Sequence, residues 1–283
     1  MDLHAASPAL PAGPTTPSGD VLYFPTEDAA RLEPHLPPLS SSQSQQTQTR
    51  PFVTLTFATS LDSSLSLAPG VRTVLSGPQS KAMTHYLRSR HAAILVGVGT
   101  AIADDPGLNC RISSATSNPR PIVIDPLARW SLTEESKVLQ LAKAGQGLAP
   151  FIFVSDAAEV SLESKEWLQR FGGKYVFVKS FMDGGGSVRF HWEDVLAAVQ
   201  GEGLDSIMVE GGGQIINSLL TPPNNRLIDS VIVTIAPTWL GQGGVVVSPP
   251  RVEGEKAAPL RLTDVSWHPL GEDVVLCGRI LKI

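Results

Sequence analysis

The chain has 283 residues, 42% of them hydrophobic, and a formal net charge of −5. That is enough apolar material for a full core in one large or two modest domains. The acidic balance, with no block of lysine or arginine, excludes the electrostatic footprint of a nucleic-acid binder. Two cysteines, Cys110 and Cys277, are too few for a disulfide framework and are not spaced as a Cys-x-x-Cys pair, so a reducing, cytoplasmic setting is expected. No apolar run reaches the ~18 residues of a membrane span, and the start lacks a basic region leading into an apolar core, so no membrane partner is expected.

Residues 1–49 are rich in Pro, Ser, Gln and Thr, and 40–49 form a polar low-complexity tract. They read as a disordered or weakly ordered extension ahead of a folded domain over 50–283. The alternation at 52–58 marks the first strand. A helix is expected at 79–90, where Pro78 supplies a start signal and Met83, Tyr86 and Leu87 share a face. Strands at 93–97, 122–125, 151–154, 175–178, 206–209 and 230–235 follow, with further helices at 162–171 and 192–200. Near-continuous apolar strands such as Ile94-Leu95-Val96, alternating with helices, predict an α/β sheet covered on both faces. The segments 262–267 and 274–280 flank a polar turn and predict an antiparallel hairpin finishing a mixed sheet.

Three groups of residues carry candidate chemistry. The strand at 206–209 ends in Glu210, then Gly211, Gly212 and Gly213, and opens into a helical pattern from Gln214. Glycines let backbone approach an anion, and the unpaired N–H groups of a helix start attract it. The run is not the dinucleotide fingerprint G-x-G-x-x-G. A second strand ends in Gly97-Val98-Gly99-Thr100, followed by Asp104-Asp105-Pro106, and ligands in open α/β sheets sit at such strand ends. The third group is cationic: Arg72, Arg88 and Arg111, whose guanidinium forks suit a phosphate ester. Each has a plainer counterpart: a tight connection, an ordinary capped turn, a solvated arginine. Gly184-Gly185-Gly186 reads as a flexible loop, because 187–191 separate it from the next helix. The histidines, among them His85, His91, His191 and His268, show no metal-ligand spacing, so no metal is expected. Nothing marks a nucleophile elbow or a Cys/His pair.

Taken in order, Pro51-Phe52-Val53-Thr54-Leu55, Ser60-Leu61-Asp62, the stretch from Leu95 to Thr100, Ala103 to Asn109, Pro121 to Asp125, Val209 to Gly213 and Ile235-Ala236-Pro237 resemble the riboflavin-pathway reductase family across nearly all of 51–283. Gly70-Val71-Arg72-Thr73, Met83 to Arg88 and Val274 to Cys277 are similar to its stand-alone fungal form. The His-x-Glu and Pro-Cys-x-x-Cys of the deaminase fused to bacterial members do not occur. Ser63 stands where many relatives carry glycine.

The resemblance implies a dihydrofolate-reductase-like fold, a homodimer, and NADPH as cofactor, with NADH left open. The implied reaction reduces a phosphorylated ribosylaminopyrimidine to its ribitylamino form, by hydride transfer to the sugar carbon bearing the amine. It further implies that Thr100 and Asp104 contact the cofactor, that Gly211, Gly212, Gly213 and Gln214 take its pyrophosphate, and that Arg88, Leu108, Arg111 and Glu210 line the substrate side. Asp104 and Glu210 are then the catalytic candidates, with Asp62 a third carboxylate, and Lys179 a candidate for a 2′-phosphate. The alternatives are a reductase of the same fold acting on another pterin or pyrimidine, and a non-catalytic nucleotide sensor; Arg88 and Arg111 speak against an unphosphorylated substrate.

Overall fold

The structure is a computed structural model that describes residues 21–39, 49–250 and 260–281. In chain order its elements are α1 (Thr26–Leu32), β1 (Phe52–Thr59), β2 (Ser64–Ser66), α2 (Pro78–Ser89), β3 (Ala93–Gly97), α3 (Val98–Asp104), β4 (Arg120–Ile124), α4 (Lys137–Lys143) and β5 (Phe151–Ser155). There follow α5 (Leu162–Arg170), β6 (Lys174–Val178), β7 (Ser180–Met182), β8 (Val188–Phe190), α6 (Trp192–Gly201), β9 (Ser206–Val209), α7 (Gly213–Leu220), β10 (Ser230–Ile235), β11 (Val245–Val246), β12 (Leu262–Leu270) and β13 (Asp273–Ile280).

The main sheet has nine strands in the order β12-β13-β10-β1-β9-β3-β4-β5-β6. From β10 to β6 neighbouring strands run parallel, whereas β13 and β12 are antiparallel additions at one edge. The expected mixed, mostly parallel sheet with a C-terminal hairpin is therefore what the chain forms. Successive side chains of a strand point to opposite faces, and here both faces are covered. Val53, Leu55, Leu95, Ile207 and Val209 pack on one side against Trp192, Leu196 and Val199 of α6 and Ile216 and Leu219 of α7. On the other side Met208 and Ile232 meet Met83 and Leu87 of α2, Ile94 and Val96 meet Val98 and Ala101 of α3, and Ile152 and Val154 meet α4 and α5.

Three expectations need correction. Residues 21–38 of the expected disordered extension are ordered, while 1–20 and 40–48 lie outside the described residues. Phe24, Leu32 and Leu36 are buried against Met83, Leu87 and Ile112, and this apolar burial offsets the ordering cost that a purely polar tract could not meet. The turn expected after β3 is helical: α3 runs on to Asp104, and Asp105 closes it in the left-handed region at φ 40°. Gly184 to Gly186 are the tip of a hairpin between β7 and β8, not a free loop, because Asp183 accepts from the backbone N–H of Gly185 and Ser187.

Candidate active site

The C-terminal ends of β1, β9, β3 and β10 lie side by side, so the segments that follow them share one edge of the sheet. After β9 come Glu210 and the glycines. Each glycine has its own reason. A Cβ on Gly211 would lie 2.8 Å from the Ile215 side chain, and one on Gly213 would lie 2.3 Å from Val245 of β11, which pairs with β2 over the site. Gly212 has φ 84°, and a Cβ there would sit 2.9 Å from the Thr100 hydroxyl. Gly212 also precedes α7 without any side-chain cap, so the first N–H groups of that helix keep no intrahelical partner. The cradle is a close backbone approach that a side chain would fill, next to an uncapped helix start. An uncapped helix start beside glycines is an element able to hold an anion such as a pyrophosphate.

Thr100 faces this cradle from α3, and Asp104, half-buried, lies one helical turn further on. The paired aspartates have separate tasks. Asp105 accepts from the backbone N–H of Lys137 at 3.1 and 3.2 Å and so anchors α4. Gln214 is exposed on the first turn of α7.

Glu210 and Arg88 form the electrostatic centre. Arg88 donates from Nε and Nη2 to the two carboxylate oxygens of Glu210, at 3.0 and 2.8 Å, and from Nη1 to the Asn109 carbonyl at 3.0 Å. The two side chains are only 13% and 17% exposed, so the fork is tightly held and poorly screened. In the structure the Arg88 fork is engaged by Glu210 and so fixes that carboxylate. One turn earlier on α2, buried His85 accepts the backbone N–H of Arg111 at Nδ1, 3.1 Å away. Burial, reinforced by the charges of Arg88 and Arg111, pushes the His85 pKa down to about 3, so the ring is neutral. Arg111 Nη2 lies 3.2 Å from His85 Nε2, and no ion pair engages Arg111 among the described residues. Of the two arginines, Arg111 is the one whose charge is open to a ligand.

Two further expectations change. The Leu108 side chain is 2% exposed inside the cluster of Ile94, Val96 and Val123, so any ligand contact is left to its backbone, which sits at φ 52°. Asp62 is not a free carboxylate: it accepts from the Ser60 hydroxyl and from the N–H groups of Leu240 and Gly241, and these bonds, Ser60 first, hold its pKa below the usual range. It ties the turn after β1 to the loop after β10. Ser63 in that turn takes φ 60°, the conformation for which a glycine would serve.

The RibD C-terminal domain family matches residues 51–276. The chain belongs to that family. It is 41% identical over 234 residues to the 2,5-diamino-6-ribosylamino-4(3H)-pyrimidinone 5′-phosphate reductase of Debaryomyces hansenii, spanning 82% of this chain and 90% of the relative. The Saccharomyces cerevisiae reductase of the same name is 39% identical, over 81% of this chain and 87% of its own length. RibD of Aquifex aeolicus is 29% identical over 81% of this chain but only 58% of its own length. Among solved structures, the yeast riboflavin biosynthesis reductase Rib7 superposes with a TM-score of 0.71 at 34% identity, covering 90% of this chain and all of that one.

Within this RibD C-terminal domain the structure brings Thr100 to Gly212, Arg88 to Glu210 and Arg111 to His85. It does not bring Asp104 or Gln214 into hydrogen-bond contact with any of them among the described residues. Sequence reasoning missed His85, set aside as an isolated histidine, and Asn109, whose carbonyl steadies Arg88. Its only signal was the three-residue spacing from His85 to Arg88 on one helix.

Proposed function

We propose that this chain is an NADPH-dependent reductase of 2,5-diamino-6-ribosylamino-4(3H)-pyrimidinone 5′-phosphate, acting in riboflavin biosynthesis. The observation that carries the reading is Glu210, clamped by Arg88 beside the glycine cradle, which puts a fixed carboxylate at the junction of a dinucleotide subsite and an arginine-bearing subsite. When bound, the reduced nicotinamide supplies the hydride. The protein's own residues do the rest. Gly211 to Gly213 and the start of α7 hold the pyrophosphate, and Thr100 and Asp104 orient the nicotinamide end. Glu210, immobilised and poorly hydrated, stabilises the positive charge that develops when the ribosylamino group opens to an iminium. Arg111 takes the 5′-phosphate, with the neutral His85 holding its backbone in place.

NADPH is preferred over NADH in this reading, with Lys179, exposed where β6 ends on the same sheet edge, facing a 2′-phosphate. The active form is a homodimer. Val265, Trp267 and Val274 are exposed on the outer β12–β13 hairpin, an apolar strand edge of the kind a second copy covers. The experiment is a single-enzyme assay with NADPH and the ribosylaminopyrimidine phosphate, following nicotinamide absorbance and the ribitylamino product. Binding of both ligands without turnover would favour a sensor, and turnover of an unphosphorylated pterin alone would move the protein to another substrate.

A further inference from the structure

Residues 21–38 cross the back of the arginine-bearing subsite as a strap, and their contacts go beyond covering an apolar surface. Leu22 forms an isolated parallel bridge with Ile112. Its N–H donates to the Arg111 carbonyl at 2.8 Å, and its own carbonyl accepts from Ser113 N–H at 2.9 Å. Arg111 thus has its N–H held by His85 of α2 and its C=O held by the strap. The same strap fixes the stretch of α2 that carries His85 and Arg88. Phe24 stacks on Tyr86 with ring centroids 5.1 Å apart, and the Tyr86 hydroxyl donates to Glu33 at 2.5 Å. Arg90, just past the helix end, pairs with Glu33 and donates to the Pro37 carbonyl at 3.1 Å. Leu32 and Leu36, buried against Met83 and Leu87, anchor the strap from beneath.

We propose that residues 21–38 form a positioning segment of the phosphate subsite, with Leu22 setting the backbone of Arg111 and so the reach of its guanidinium. The inference rests on the reading above that Arg111 meets the substrate's 5′-phosphate. A cover over α2 would need only apolar contacts. The paired hydrogen bonds to Arg111 and Ser113 instead fix a register, and a shift of register moves the side chain of Arg111 away from its anion.

The test uses the full chain. Leu22→Pro removes the N–H that reaches Arg111 together with the leucine side chain, and Leu22→Ala, which shortens the side chain but keeps that N–H, controls for the side-chain part. Ser113→Pro deletes the other bridging N–H from the opposite side and serves if Leu22→Pro does not fold. One backbone hydrogen bond corresponds to roughly a two- to ten-fold change, so the expected result is a rise of that size in the KM for the phosphorylated substrate. The NADPH dissociation constant and kcat stay within about two-fold, Leu22→Ala returns most of the loss, and the preference over the dephosphorylated substrate shrinks. In an Arg111→Ala background, Leu22→Pro adds nothing, because the strap acts through that residue. If Arg111→Ala raises the substrate KM while Leu22→Pro and Ser113→Pro do not, the strap is only a cover and the proposal is overturned with the subsite reading intact. If Arg111→Ala itself leaves the substrate KM unchanged, both fall.

Discussion

Gly212→Ala separates the conformational from the steric role of the glycine cradle. Gly212 has φ 84° and ψ 145°, a region that L residues hardly populate, and holding an alanine there costs about 1–3 kcal/mol. Its Cβ would also lie 2.9 Å from Thr100 Oγ1, and such overpacking costs about 1–3 kcal/mol more. The expected destabilisation is thus about 2–6 kcal/mol, or on the order of 5–20 °C in Tm for a domain of this size. Adding Thr100→Ala removes the clashing hydroxyl and should restore the steric part while leaving the backbone part. If the glycine run holds the cofactor as proposed, its binding should not return, since the strained backbone at Gly212 remains. Each lost charge-assisted contact weakens NADPH on the order of ten- to a hundred-fold. Thermal melts of the two single variants and the double variant, with calorimetric titration of NADPH, give both quantities. An NADPH dissociation constant unchanged in Gly212→Ala would remove the glycine run from the cofactor site, and a double variant no more stable than Gly212→Ala would dismiss the clash with Thr100.

Arg88→Lys keeps a positive charge but cannot span both oxygens of Glu210 and the Asn109 carbonyl, so kcat/KM should fall on the order of ten- to a hundred-fold; steady-state kinetics within two-fold of the parent would show that Glu210 needs no clamp. Leu108→Ala should lose about 2–5 kcal/mol of stability, measured by urea unfolding, with NADPH affinity unchanged, because its side chain belongs to the core. Burial holds the His85 and His91 pKa values down to about 3 and about 4, against roughly 6.5 in the unfolded chain. Below pH 6.5 the unfolded state binds protons that the folded state refuses, so stability falls as pH drops toward 4, by about 1.4 kcal/mol per pH unit for each histidine. Urea midpoints that stay flat from pH 7 to 5 would contradict that burial.

The sheet was legible because strands buried on both faces, such as Ala93–Gly97 and Phe151–Ser155, must be apolar almost throughout. Glu210 and its glycines were legible because so few local structures need three glycines after a strand. α3 was not, since its seven residues follow a glycine, hold another and give fewer than two full turns of pattern. Nor was the strap, whose buried Phe24, Leu32 and Leu36 are sparse among prolines and polar residues. The pairing of Arg88 with Glu210 was hidden for a similar reason: an arginine's chemistry depends on its partner, and Glu210 is 122 positions away along the chain.

The position of β1 bears on how the chain is made. This first strand of the sheet lies between β9 and β10, and Arg50, just ahead of it, clasps Asp229 from 179 residues away. During synthesis β1 emerges early and waits with both of its edges unpaired while well over a hundred residues follow. Contacts of such long range make folding slow, and unpaired apolar edges associate with other chains. The nascent polypeptide is therefore a natural client for chaperones at the ribosome, and its soluble yield should depend on translation speed and temperature more steeply than the stability of the finished fold would suggest.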